Sequence, residues 1–172
     1  VEEVEYAKSK GIDFIICDHH VPDDVLPDAV AILNPKLEDN PYPFKHLSGC
    51  GVGYKFMTAF AQSNGLSNHH ELESLLDLVA VSIAADIVPM IGENRVMTYY
   101  GLKRLNTNPN VGLKSIMKIC GLSGKETSIS DVIFKIGPRI NASGRMGHKE
   151  QALQLFLSKN MVEVQELTQN YY

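Results

Sequence analysis

The stretch that most limits what this chain can fold into is IDFIICDHHVP, residues 12–22. A short, isoleucine-rich apolar run empties without warning into an aspartate and two adjacent histidines. Just before it, Val1, Val4 and Ala7 share one face of a helix that Gly11 is placed to end. A short apolar strand directly after a helix reads as a buried parallel strand of an α/β unit. A second short run, VAILNP at 30–35, is closed by Asn-Pro and separated from the first by the loop VPDDVLPDA.

From Ser48 onward the pattern turns helical. YKFMTAFAQ, ELESLLDLVAVSIAA, NRVMTYYGLKRLN, VGLKSIMKICG and the closing KEQALQLFLS and NMVEVQELTQNYY each read as helices. Ser67 or Asn68 is placed to cap the second, and Ser130 with Asp131 to open ISDVIFKIG. The fold class expected is therefore α/β, with N-terminal strands of a parallel sheet followed by a mostly helical region.

Composition narrows the class further. The 172 residues suit one domain, or one domain and part of another, and 44% hydrophobic residues suffice for a core. A net charge of -4 argues against a protein that coats nucleic acid by overall charge, but it leaves room for a local basic patch. Cys17, Cys50 and Cys120 lack CxxC spacing, so they read as reduced, mostly buried thiols of a cytoplasmic protein. No run approaches the roughly 20 apolar residues of a membrane span. VEEVEYAKSK starts inside a helix without an initiator methionine, so the chain is expected to begin partway into a longer protein.

In a parallel sheet, ligands gather at the carboxyl ends of strands, where CDHH lies. Imidazole suits Mn, Zn or Fe, and carboxylate suits Mn and Mg. Successive residues leaving a strand point to opposite sides, so one of His19 and His20 is free to ligate a metal while the other meets substrate. Asp18 is placed to accept the second N–H of a ligating histidine. By contrast, His69 and His70, in the polar stretch SNHHELE, read as an exposed turn. Asp86 follows an apolar helix in SIAADIVPM; alone it reads as a helix-end aspartate. GPRINASGRMGHK reads as a glycine-rich loop that concentrates Arg139, Arg145, His148 and Lys149, with Asn141 and Ser143 beside them. Arginine forks bind phosphate in a bidentate manner. SGCGVGYK at 48–55 fits neither GxGxxG nor GxxxxGK[ST], and reads as a tight entry into the next helix.

CDHHVP, SIAADIVP and GPRINASGRMG, in that order, resemble the DHH phosphoesterase superfamily and, within it, the single-stranded-DNA exonucleases of the RecJ type. The resemblance implies hydrolysis of phosphodiester bonds with two divalent cations, Mn2+ or Mg2+. It implies that His19 and Asp86 ligate one metal, that His20 faces the scissile phosphate, and that Asp18 supports the histidines. It also implies that Arg139, Asn141 and Arg145 contact the DNA backbone, and that digestion runs 5′ to 3′ in DNA repair or recombination.

The family's upstream aspartate motifs are absent from this sequence. The expectation is an internal fragment, inactive alone, with residues 1–158 the C-terminal part of the catalytic core and 159–172 the start of a connector helix. Without further upstream strands, IDFIIC would present an open edge prone to self-association. Single-stranded DNA, and a single-strand-binding protein or helicase in the longer protein, are the partners implied. Alternatives are an oligoribonuclease, a manganese pyrophosphatase, or a non-catalytic nucleic-acid-binding module; the PRINASGR stretch disfavours the first two.

Overall fold

The computed structural model describes residues 1–66, 69–145 and 149–171. Helix α1 (Glu2–Ser9) buries Val4 and Ala7 and passes through Gly11 into strand β1 (Ile15–Cys17). Strand β2 (Ala31–Leu33) lies parallel to it, with Ile15 opposite Ala31 and Cys17 opposite Leu33. The parallel pairing agrees with the sequence, but the expected burial does not follow. Ile15 is 48% exposed, because β1 has no strand beside its other edge among the described residues. The thiols differ from expectation too: Cys17, on that uncovered strand, is exposed for the same reason, Cys50 is also exposed, and Cys120 is partly covered.

Helix α2 (Gly49–Ser63) starts at Ser48, whose Oγ accepts the Gly51 N–H. The run expected as one helix over 71–85 is instead α3 (His69–Glu73) and α4 (Leu76–Ala85). The break has a local cause. The Ser74 carbonyl accepts Arg104 Nε–H at 2.8 Å, and the Leu78 N–H donates to Asp77 Oδ1, so the helical bond between them is replaced. Ser67 and Asn68, the expected caps, lie outside the described residues.

Apart from Asp77 and Ser82, α4 is apolar all round, and none of its residues is exposed, as such a helix requires. Its Val79 and Ile83 join Leu47, Val52 and Met97 in one core. Its Val81 and Ala84 join a second core with Leu105, Leu113, Ile116, Ile136 and Leu155. Helix α5 (Gly92–Thr107) packs along α4 at Gly101, where a Cβ would stand 2.2 Å from the Leu76 carbonyl oxygen. Asp77 is fully buried at the start of α4 and accepts the N–H of Asn110, the residue that caps α6 (Val111–Ile119). Burial pushes the Asp77 carboxyl up from its usual range, against the pull of the Asn110 and Leu78 N–H groups and of Arg104.

The next segment departs furthest from the sequence reading. Ser128, not Ser130, caps α7 (Ile129–Asp131), through a reciprocal capping box with Asp131. α7 runs on through a π-helical turn at Val132–Ile136 into α8 (Gly137–Arg145), so the expected glycine-rich loop is a helix. Pro138 explains both facts. It lacks an N–H, and in an α-helix its ring would press on the Phe134 carbonyl; the wider π turn relieves that clash without ending the helix. Helices α9 (Lys149–Leu157) and α10 (Met161–Tyr171) close the chain. α10 buries Val164 and Thr168, and the Thr168 and Ser115 hydroxyls share a hydrogen bond of 2.8 Å between α10 and α6.

Two outcomes test this packing. Gly101→Ala is expected to lower the unfolding free energy by at least about 2 kcal/mol, because the methyl group meets backbone that cannot yield; urea denaturation measures it. Lys135, together with the N–H and hydroxyl of Ser128, holds the Asp131 carboxyl well below its usual range. A carboxyl lowered in the folded state stabilises above its unfolded pKa and loses that effect as pH falls toward the folded value. Asp131→Asn should therefore melt at lower temperature than the parent near neutral pH, with the gap closing below about pH 4.

Candidate metal centre

Where β1 ends, the Asp18 N–H still reaches the Leu33 carbonyl at 3.0 Å, which fixes the DHH segment at the carboxyl end of the sheet. The chain then turns around one oxygen. Asp18 Oδ1 accepts the His19 N–H at 2.7 Å and the His20 N–H at 3.2 Å, and it lies 2.7 Å from His20 Nδ1. Burial raises the Asp18 carboxyl, but the His20 contact and the two backbone bonds outweigh it, and the net direction is down. An ionised carboxylate only accepts, so His20 Nδ1 carries the proton and Nε2 is the ring's remaining polar atom. Asn34 locks the turn from below. It is buried, donates Nδ2–H to the His20 carbonyl at 2.9 Å, and accepts the Lys36 N–H at 3.0 Å.

His19 points the other way. Its side chain is 15% exposed, and its Nε2 stands 3.7 Å from Asp86 Oδ2. Gly49, at the start of α2, backs the ring: a Cβ there would lie 3.4 Å from His19 Cδ2. The SGCGVGYK glycines thus lie within α2, with the first forming the wall of the histidine's seat. Asp86 is the C-cap of α4; the Ser82 hydroxyl donates to its Oδ2 at 3.3 Å, and Ile87 after it adopts φ +52°, a left-handed conformation uncommon for a β-branched residue.

A separation of 3.7 Å is too long for an N–H···O hydrogen bond. It suits two donors on one cation, since bonds of about 2.0–2.2 Å meeting at about 90–120° hold their donors roughly 2.8–3.8 Å apart. The pair of imidazole nitrogen and carboxylate oxygen fits a manganese-like ion. It is only part of a ligand set: among the described residues, no group of three or more His, Cys, Asp or Glu is arranged to hold a metal. Nor does Asp18 orient His19 as the sequence suggested. It holds His20, while His19 Nδ1 is buried with no hydrogen-bond partner among the described residues.

α8 begins beside this centre, with Gly137 packed on Ala85, the neighbour of Asp86. Arg139 lies against Cys120, whose thiol is pushed up by burial and drawn back by the guanidinium charge. Asn141 is exposed. Arg145 ends α8, but its side chain, like those of Ser143 and Lys149, and the whole of His148, lies outside the described residues.

Comparison with known proteins gives this geometry its context. Residues 1–83 match the model of the DHH family, N-terminal domain. Across 95% of its length the chain is 38% identical to the single-stranded-DNA-specific exonuclease RecJ of Salmonella typhimurium, and across 97% it is 40% identical to RecJ of Bacillus subtilis. A crystal structure of exonuclease RecJ bound to manganese superposes with a TM-score of 0.77 at 31% identity, over 99% of this chain. The chain resembles the DHH family over its first 83 residues and RecJ exonucleases over nearly all of its length. It spans 30% of the Salmonella protein, 20% of the Bacillus protein and 42% of the manganese-bound chain.

Sequence reasoning passed over four residues of this DHH centre: Asn34, Gly49, Ser82 and Ile87. Asn34 lies in the quoted VAILNP, but its role is a hydrogen bond to a carbonyl far away in the chain, which local pattern does not reveal. Removing it as Asn34→Ala leaves the His20 carbonyl and Lys36 N–H without partners. The expected loss is about 2 kcal/mol in folding free energy, read from the midpoint of chemical denaturation.

Proposed function

We propose that this chain supplies the DHH half of the metal centre of a single-stranded-DNA exonuclease of the RecJ type, acting 5′ to 3′ on phosphodiester bonds. The observation that carries the reading is the convergence of His19 Nε2 and Asp86 Oδ2 from distant parts of the sequence. The manganese and magnesium in the RecJ crystal structures support Mn2+ or Mg2+ as the ions. When bound, such ions polarise the phosphate and lower the pKa of a water.

The residues divide the remaining work. His19 and Asp86 hold one cation. Asp18 fixes the His20 ring through Nδ1, so its Nε2 is available to the scissile phosphate. Arg139, Asn141 and Arg145, on α8, contact the DNA backbone, by their side chains rather than by a helix N-terminus, since α8 continues an existing helix and has no free first turn. Residues 1–158 form the core of this half-site and 159–172 lead toward a further domain.

The remaining ligands belong to a longer polypeptide, and the chain alone binds Mn2+ weakly and does not cut DNA. Its surroundings are the cytoplasm, with single-stranded DNA as substrate and a single-strand-binding protein or helicase as companions. The open edge of β1 makes the isolated chain self-associate. Among the described residues, no helix is long and apolar enough to cross a membrane.

The deciding experiment is His19→Ala in the full-length protein, assayed by release of nucleotides from single-stranded DNA. A loss of at least about 10²-fold in rate is expected. Near-normal turnover would remove His19 from the site.

A further inference from the structure

His19 and Asp86 sit on different segments, so something must fix the distance between their seats. The seat of His19 is the end of the long loop, from His46 to Gly49. The seat of Asp86 is the end of α4 and the turn to Pro89. One side chain bonds to both. Asn94, fully buried in the first turn of α5, donates from Nδ2 to the His46 carbonyl at 2.6 Å and to the Pro89 carbonyl at 3.0 Å.

The chemistry of that contact is specific. Of the two ends of an amide, only the NH2 group can satisfy two carbonyls, which fixes its orientation. Its Oδ1 is buried without a hydrogen-bond partner among the described residues, a cost that a residue serving only to fill space would avoid. The neighbouring residues grip the same loop. Gly92, at φ +49°, lets the Phe44 ring approach to where a Cβ would stand 2.9 Å away. Glu93 accepts the Tyr42 hydroxyl at 2.9 Å and pairs with Lys55 at 3.0 Å. Successive residues 92, 93 and 94 thus hold residues 44, 42 and 46, and only Asn94 also holds the Asp86 turn.

We infer that Asn94 is a positioning residue that sets the His19–Asp86 separation by tying the loop behind Gly49 to the turn after Asp86. The inference rests on the reading that these two residues share a cation. It assigns Asn94 no contact with metal or DNA.

The test uses the full-length protein with Asn94→Asp, which keeps the shape but replaces the NH2 group with one carboxylate oxygen facing both carbonyls. In metal-free protein, amide hydrogen exchange of residues 46–49 and 86–88 should accelerate at least about tenfold, while that of α6 stays unchanged. The Mn2+ concentration for half-maximal activity should rise about 10- to 100-fold, with kcat recovered at high Mn2+ and KM for single-stranded DNA unmoved. Tyr42→Phe, which cuts a different tie to the same loop, should leave the Mn2+ dependence within about twofold.

A folded Asn94→Asp protein with unchanged exchange and Mn2+ dependence overturns the inference, as does an equal Mn2+ shift in Tyr42→Phe. Asn94→Ser, smaller and still a donor, replaces the aspartate variant if that does not fold, with the same expectation in weaker form and the same overturning result. Exchange reads the tie itself, and His19→Ala reads the shared cation, so either can fail without the other.

Discussion

The close approach of α4 and α5 at Gly101 is the contact on which the rest of the molecule is hung. Without a side chain at that position, the two backbones come near enough for α4 to be enclosed on all sides. α4 then serves two cores at once, with Val79 and Ile83 facing one and Val81 and Ala84 the other. Its two ends carry carboxylates with opposite settings. Asp77 is sealed inside and spends its oxygens on backbone N–H groups, which anchors α6. Asp86, at the other end, is half open and faces His19. A helix held this firmly can present a ligand without moving.

The DHH segment is organised by the same economy of small contacts. One oxygen of Asp18 turns the chain and orients His20, which frees the His19 ring to lie against Gly49 and face Asp86. Two adjacent histidines are thereby sent to two different places by their surroundings rather than by their own chemistry. The left-handed Ile87 completes the arrangement by redirecting the chain directly after Asp86.

Much of this was legible in the sequence, but unevenly. The parallel strands, the helices after residue 48 and the special status of residues 18–20 follow from local pattern. The pairing of His19 with Asp86 did not; it came from resemblance to a family, because nothing in SIAADIVPM taken alone distinguishes a ligand from a helix cap. GPRINASGR misled: glycine and proline signal a loop, and the π turn that lets the helix run past Pro138 depends on packing of Val132 and Ile136 into the core. Asn34 and Asn94 were silent for another reason. Each acts on carbonyl groups remote in the chain, and composition carries no record of such partners.

The split origin of the two donors has a consequence for how this molecule relates to its ion. A finger-like domain collects its ligands from one short segment and cannot fold before the metal arrives. Here the imidazole and the carboxylate are brought together by a long loop and two separate apolar clusters, so their seats are built by the protein's own packing. On the proposed function, a cation would be a guest in a finished house, to be withdrawn or exchanged for another of similar size with the walls left standing.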